Sequence, residues 1–162
     1  MSRLLVTGAA GFIGSNFVRY WLSAKPQDHI VVVDALTYAG NRESISDLLS
    51  DRCVFEHCDI NNTQRIEALL RDERIDTIVH FAAESHVDRS IEGPDVFLEA
   101  NILGTHSLLK AARQVWQIEN QAPETHRFHH VSTDEVYGAL SMQGPAFTEK
   151  NSLCAQFALL RQ

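Results

Sequence analysis

Short apolar runs and amphipathic stretches alternate along this chain. Residues 3–7, 30–34, 54–55, 77–81 and 128–132 are compact runs built around Leu, Ile, Val or Phe. The succession Ile30, Val31, Val32, Val33 leaves no polar face, the pattern of a strand covered on both sides. Between these runs the apolar positions take helical spacing. Phe12, Ile13, Phe17, Tyr20 and Trp21 form one stripe, residues 43–49 a short helix, and residues 63–71 place Ile66, Leu69 and Leu70 on one face; residues 96–116 are a longer helix. Five strands separated by helices predict a parallel α/β sheet with helices on both faces, because each parallel connection must cross back over the sheet.

Composition narrows the class without changing this picture. A chain of 162 residues, 44% hydrophobic and 22% charged, with 8 Gly and 4 Pro, is neither collagen-like nor disordered. Residues 1–149 read as one domain, with no repeat or linker inside them. The formal net charge of -7 and the lack of any basic run argue against nucleic acid or an anionic membrane surface as partner. No apolar run is long enough to span a bilayer, and the chain opens directly into a strand, so neither a secretory signal nor an anchor is expected. Cys53, Cys58 and Cys154 lack paired spacing, which suits a reducing cytoplasm. His126, His129 and His130 cluster in sequence, but adjacent strand residues face opposite ways and no carboxylate or cysteine completes a ligand set; no metal is expected.

The strongest local signal is Gly8-Ala9-Ala10-Gly11-Phe12-Ile13-Gly14, set between a strand and a helix. Such a turn needs residues without a Cβ, and the helix that follows offers free N–H groups and a positive dipole end to a pyrophosphate. Asp34 ends the second strand, where a carboxylate accepts hydrogen bonds from both hydroxyls of an adenosine ribose and repels the extra phosphate of NADP. A plain strand–turn–helix connection would account for the glycines alone, but not for the acid at that distance. The pattern is that of a Rossmann-type doubly wound sheet binding NAD.

The spacing Gly-x-x-Gly-x-x-Gly resembles the extended short-chain dehydrogenase/reductase family. Three segments narrow the resemblance: Asp34-Ala35-Leu36-Thr37-Tyr38-Ala39-Gly40-Asn41, His80-Phe81-Ala82-Ala83-Glu84-Ser85-His86-Val87-Asp88-Arg89-Ser90, and Ser132-Thr133-Asp134-Glu135-Val136-Tyr137-Gly138. Together, over residues 2–149, they are similar to the dTDP-glucose 4,6-dehydratases. That resemblance implies removal of water from dTDP-glucose to give the 4-keto-6-deoxy sugar nucleotide, with NAD not consumed overall. It makes Asp134 the acid for the leaving hydroxyl, Glu135 the base for the C5 proton and Thr133 a hydrogen-bond partner of the C4 oxygen. Adjacent carboxyls can take these opposite roles if their environments differ; a solvated acidic loop is the plainer reading of Asp134-Glu135 alone. Ala35, Leu36 and Thr37 fall in the cofactor-binding stretch that begins at Asp34. Asp59 and Ile60 match an adenine-contacting pair, polar edge and apolar face. Phe81, Ala82, Ala83 and Glu84 would line the cofactor, a role compatible with a buried strand end, and Ser85 would touch substrate. Ala100 stands near the nicotinamide where relatives often carry Thr.

The family pattern breaks at the Tyr-x-x-x-Lys pair that activates the C4 hydroxyl. After Tyr137 the chain has no tyrosine, and after Lys150 no lysine. The family's segment Thr-Pro-Tyr-Ala-Pro-Asn-Ser-Pro-Tyr-Ser-Ala-Ser-Lys can be encoded so that one extra adenine in front of it yields residues 151–162 and then a stop codon. The expectation is therefore that residues 150–162 are a frameshifted tail on an incomplete Rossmann-type domain of about five strands, without the family's C-terminal substrate domain. On this reading the chain itself would turn over negligibly. A binding module that holds NAD without chemistry, a sugar-nucleotide 4-epimerase and another nucleotide-sugar dehydratase are the alternatives. Full-length relatives pair as homodimers through the helix at 96–116 and one that would follow Gln162, an interface that could not form as usual here.

Overall fold

The computed structural model describes residues 1–120, 125–140 and 143–153. Most of the predicted tail, residues 154–162, lies outside them. The chain divides into two units, Met1–His130 and Val131–Gln162.

In the first unit a five-stranded sheet runs in the order β3-β2-β1-β4-β5. Its strands are β1 (Arg3–Thr7), β2 (His29–Asp34), β3 (Cys53–His57), β4 (Thr77–His80) and β5 (Arg127–His130), and every neighbouring pair is parallel. The α/β sheet expected from the sequence is thus present, with Rossmann strand order. Helices α1 (Phe12–Ala24) and α2 (Glu43–Ser46) cover one face; α3 (Thr63–Asp72) and α6 (Thr105–Ala112) cover the other. Two short helices, α4 (Val87–Glu92) and α5 (Asp95–Phe97), follow β4. Helical backbone then runs on through a π-helical turn at Leu98–Gly104, α6 and a second π-helical turn at Arg113–Glu119.

The inner strands bury both faces. Leu4, Val6, Ile30, Val32 and Val79 face Val18 and Ile45 on one side; Leu5, Val31, Val33 and Ile78 face Ile66, Leu70, Leu108 and Val115 on the other. Trp116 closes the second layer and donates its indole N–H to the Ile75 carbonyl at 2.9 Å.

Several predicted boundaries and exposures differ. Phe12, Ile13 and Tyr20 of the expected α1 stripe are exposed, and the helix instead lays Gly14, Ser15 and Val18 on the sheet. Small residues let its axis come close, while Phe17 and Trp21 of the expected stripe pack half-buried beside them. The helix expected at 43–49 shortens to four residues. The third strand is longer than 54–55 and lies at the sheet edge, which leaves Val54 48% exposed. β5 covers Arg127–His130 rather than 128–132, because its partner β4 ends where His80 pairs with His130. No helix among the described residues is long and apolar enough to cross a membrane.

The second unit holds a 3₁₀ turn, Asp134–Tyr137. Thr133 caps it, its Oγ1 accepting the Glu135 N–H at 3.3 Å, and Gly138 ends it at φ +89°. Tyr137 stacks on Phe147 with ring centres 5.3 Å apart.

Candidate functional site

The carboxyl end of the sheet gathers the predicted residues of the first unit. Register aligns Thr7 with Val33 on one side and His80 on the other. The ladder continues one step past each strand: the Gly8 N–H donates to the Val33 carbonyl at 3.0 Å and the Phe81 N–H to the Thr7 carbonyl at 3.1 Å. Strand order reverses between β1 and β4, the position where such sheets open a ligand crevice.

Gly8 bends at φ +65°, and a Cβ there would lie 2.6 Å from the Ala82 N and 2.7 Å from its Cα. A Cβ on Gly14 would overlap the Gly8 carbonyl oxygen and stand 2.7 Å from the Ala9 Cα. Both positions admit only glycine. Gly11 caps α1 with extended backbone, no side-chain bond and no acidic residue in the first turn. The first N–H groups and the positive end of the helix are therefore left for an anion. Phe12 and Ile13 stand beside that end, 85% and 65% exposed.

Asp34 is buried at the end of β2. Its Oδ2 accepts the Ala10 N–H at 2.9 Å and its Oδ1 the Leu36 N–H at 2.8 Å. These bonds fix the carboxylate and leave each oxygen a lone pair for a hydroxyl donor. The loop that follows, with Ala35 half-buried and Thr37 exposed, folds tightly over it: Leu36 takes φ +52°, and a Cβ on Gly40 would lie 2.6 Å from Asp34 Oδ1. After β3, Asp59 is exposed and its Oδ1 accepts the Asn61 N–H at 2.8 Å. Ile60 is buried against Gly104, where a Cβ would overlap its Cδ1.

Beyond β4, Phe81 and Ala82 are half-buried, while Ala83 and Ser85 are exposed. The buried-strand-end reading therefore fails at Ala83. Phe81 packs against Phe17 with ring centres 5.2 Å apart. The Glu84 backbone is clasped by Asn101, whose Oδ1 accepts its N–H and whose Nδ2 donates to its carbonyl, both at 2.8 Å. Glu84 Oε2 is buried with no hydrogen-bond partner among the described residues. Ala100, half-buried, precedes Asn101 on the π-helical turn. Sequence reasoning missed Asn101, and also the Arg89 guanidinium 4.0 Å over the Tyr38 ring. Neither pair is close in sequence, so no local spacing announces it.

Thr133, Asp134 and Glu135 belong to the second unit, where all three are exposed. The cap bond uses Thr133 Oγ1 as acceptor and leaves its proton available to another partner. Among the described residues no group of three or more His, Cys, Asp or Glu side chains could hold a metal ion.

Residues 5–157 match the family model described as GDP-mannose 4,6 dehydratase. The dTDP-glucose 4,6-dehydratase 1 of Escherichia coli (strain K12) is 52% identical over 140 residues, covering 85% of this chain and 38% of that protein. The solved structure of the dTDP-glucose 4,6-dehydratase DesIV from Streptomyces venezuelae, with NAD and TYD bound, superposes with a TM-score of 0.81 at 46% identity, over 94% of this chain and 45% of that one. The UDP-Glc/GlcNAc 4-epimerase of Campylobacter jejuni reaches 0.80 at 30% identity, over 96% and 44%. The chain thus spans less than half the length of each relative.

Proposed function

Because the chain belongs to the GDP-mannose 4,6 dehydratase family, we propose that it is the cofactor-binding portion of an NAD-dependent dTDP-glucose 4,6-dehydratase. The observation that carries this reading is the glycine cradle of Gly8 and Gly14 with the fixed Asp34 carboxylate beside it. Uncapped N–H groups at Phe12 and Ile13 and an acceptor for two ribose hydroxyls make a donor and acceptor set that fits NAD. Asp59 and Ile60 border the adenine, residues 81–84 line the cofactor, Ala100 stands near the nicotinamide, and Ser85 touches the substrate. Bound NAD supplies the hydride acceptor and donor that the reaction needs. Thr133 holds the sugar C4 oxygen, Asp134 gives a proton to the departing C6 hydroxyl, and Glu135 removes the proton from C5; water leaves.

The substrate assignment is supported by the 52% identity to the Escherichia coli dehydratase. Likeness of fold to the Campylobacter jejuni 4-epimerase is nearly as high, so the sheet does not separate the two reactions. The Asp134-Glu135 pair favours elimination, since epimerisation at C4 expels no water. These 162 residues contain no Tyr-x-x-x-Lys. The proposal therefore gives this chain NAD binding, and gives turnover to a chain that also carries that pair and a substrate domain. The exposed Leu98, Ile102 and Leu109 follow one another at helical spacing and form the surface for a second copy in such a chain. The free thiols of Cys53 and Cys58 support a cytoplasmic setting.

Two measurements test the reading. NAD titrated into the purified chain should bind, with NADP weaker; a folded chain that binds neither overturns it. A chimera that joins residues 1–149 to the remaining length of the Escherichia coli relative should release the 4-keto-6-deoxy sugar nucleotide from dTDP-glucose. Asp134→Asn and Glu135→Gln in that chimera should suppress product while leaving NAD binding intact. A chimera that epimerises C4 without losing water would refute the dehydratase assignment.

A further inference from the structure

His80 closes β4 and is 1% exposed, yet both of its ring nitrogens have partners on other elements. Nδ1 lies 2.7 Å from Thr7 Oγ1 on β1, and Nε2 lies 3.0 Å from Thr105 Oγ1 on α6. The directions of these bonds follow from the neighbours. The Thr105 hydroxyl donates its one proton to the Asn101 carbonyl at 2.8 Å, so toward His80 it can only accept, and Nε2 carries the hydrogen. Nδ1 of a neutral ring is then an acceptor and takes the Thr7 hydroxyl proton. Thr7 Oγ1 in turn accepts the Ala82 N–H at 3.3 Å.

A single directed relay therefore runs from Ala82 through Thr7, His80 and Thr105 to Asn101. The relay ends on the Asn101 main-chain carbonyl, and the side-chain amide of the same residue clasps both backbone groups of Glu84 at 2.8 Å. The loop is fastened at its two ends, and Ala82 is the residue that a Gly8 Cβ would strike first. Where the loop sits thus determines the width of the glycine cradle.

We propose that His80 is a positioning residue, which in its neutral Nε2–H tautomer sets the course of residues 81–84 beside the glycine turn and thereby tunes cofactor affinity. The inference rests on the reading of that crevice as a dinucleotide site. Burial keeps the ring uncharged, and the His130 ring, 5.2 Å away on β5, opposes protonation further. A leucine would fill the same space, but it would leave the Thr7 and Thr105 hydroxyls without their shared partner and release the loop.

The experiment uses the 162-residue chain with His80→Leu, His80→Gln and Thr105→Val. Gln can donate and accept across the same gap; Leu can do neither, and Val removes the acceptor of Nε2–H while keeping its shape. His80→Leu and Thr105→Val should weaken NAD by about tenfold, and His80→Gln by much less, the size expected for one hydrogen bond to a positioning group. Hydrogen exchange gives a readout independent of NAD: Ala82 and Glu84 amides should lose protection in His80→Leu and Thr105→Val while the β2–β3 amides keep theirs. Nitrogen chemical shifts of His80 in the unsubstituted chain should report hydrogen on Nε2. Hydrogen on Nδ1, or unchanged Ala82 and Glu84 protection in a folded Thr105→Val, overturns the relay. If the unsubstituted chain binds no NAD, the dinucleotide reading fails, and the shift and exchange results still decide the relay.

Discussion

Replacing Gly8 by alanine separates the architecture of the cradle from anything it binds. Two costs add at this position. The backbone stands at φ +65°, where a side chain is strained by roughly 1–2 kcal/mol. The new Cβ would also meet Ala82 N at 2.6 Å, Ala82 Cα at 2.7 Å and Phe81 C at 2.8 Å, all backbone atoms with no rotamer to change. Because the Gly8 N–H is tied to Val33 and the Phe81 N–H to Thr7, relief requires β1 and β4 to part at their ends. Overpacking of this kind costs about 1–3 kcal/mol. Reduced freedom of the unfolded chain returns about 0.4–1 kcal/mol. The net expectation for Gly8→Ala is a loss of about 1–4.5 kcal/mol, measured by urea unfolding of the purified chain without cofactor. Gly93→Ala is the control: a Cβ there would meet only the Arg89 carbonyl at 4.0 Å, an ordinary contact, so stability should hold within about 0.5 kcal/mol. A Gly8→Ala chain as stable as the control would refute the argument.

Other consequences can be measured in the same material. Asp34→Asn gives up one of two acceptor oxygens and turns an amide toward a backbone N–H, so unfolding free energy should fall by about 2 kcal/mol and NAD binding should weaken relative to NADP. Unchanged stability and preference would count against both roles. Burial, aided by His130, pushes the His80 pKa down to about 4 from an ordinary 6.5. The unfolded chain then binds the proton more readily, so this contribution is complete above about pH 6.5 and is lost as pH falls toward about 4, amounting to about 3 kcal/mol. Urea unfolding at several pH values should display that slope, and His80→Gln should flatten it. Trp116→Phe removes the bond to the buried Ile75 carbonyl and should cost about 1–2 kcal/mol in the same assay; no loss would mean that the carbonyl finds another donor.

The inner sheet was legible because buried parallel strands leave an unmistakable trace: Ile30 to Val33 could not be a surface strand, and the glycines of the first turn could not be a helix. Phe12, Ile13 and Tyr20 misled because apolar spacing marks a stripe without saying which side of it packs, and here Gly14, Ser15 and Val18 make the contact with Phe17 and Trp21 beside them. Val54 misled for a related reason, as an edge strand shares its composition with an inner one. Within the candidate site, Gly8, Gly14 and Asp34 were readable since a glycine-spaced strand–turn–helix followed by an acid at the end of the next strand is a pattern of spacing along the chain, even though Gly8 comes closest to Ala82 and Asp34 bonds to Ala10. Thr7, His80, Asn101 and Thr105 were not, since their meaning arises only when β1, β4 and α6 come side by side. The same holds for Ile60, which needs the missing side chain of Gly104.

Asp34 ends β2 with both carboxylate oxygens already engaged by main-chain amides on either side of it. A residue so placed couples two properties that protein engineers usually vary one at a time. On the reading given above, widening the pocket for a phosphorylated ribose would begin by loosening the loop that frames it. A successful redesign would first bring in a new acceptor for the Ala10 and Leu36 amides, and only afterwards a cation for the extra phosphate. Introduced in the opposite order, the cation would be added to a frame that no longer holds its shape.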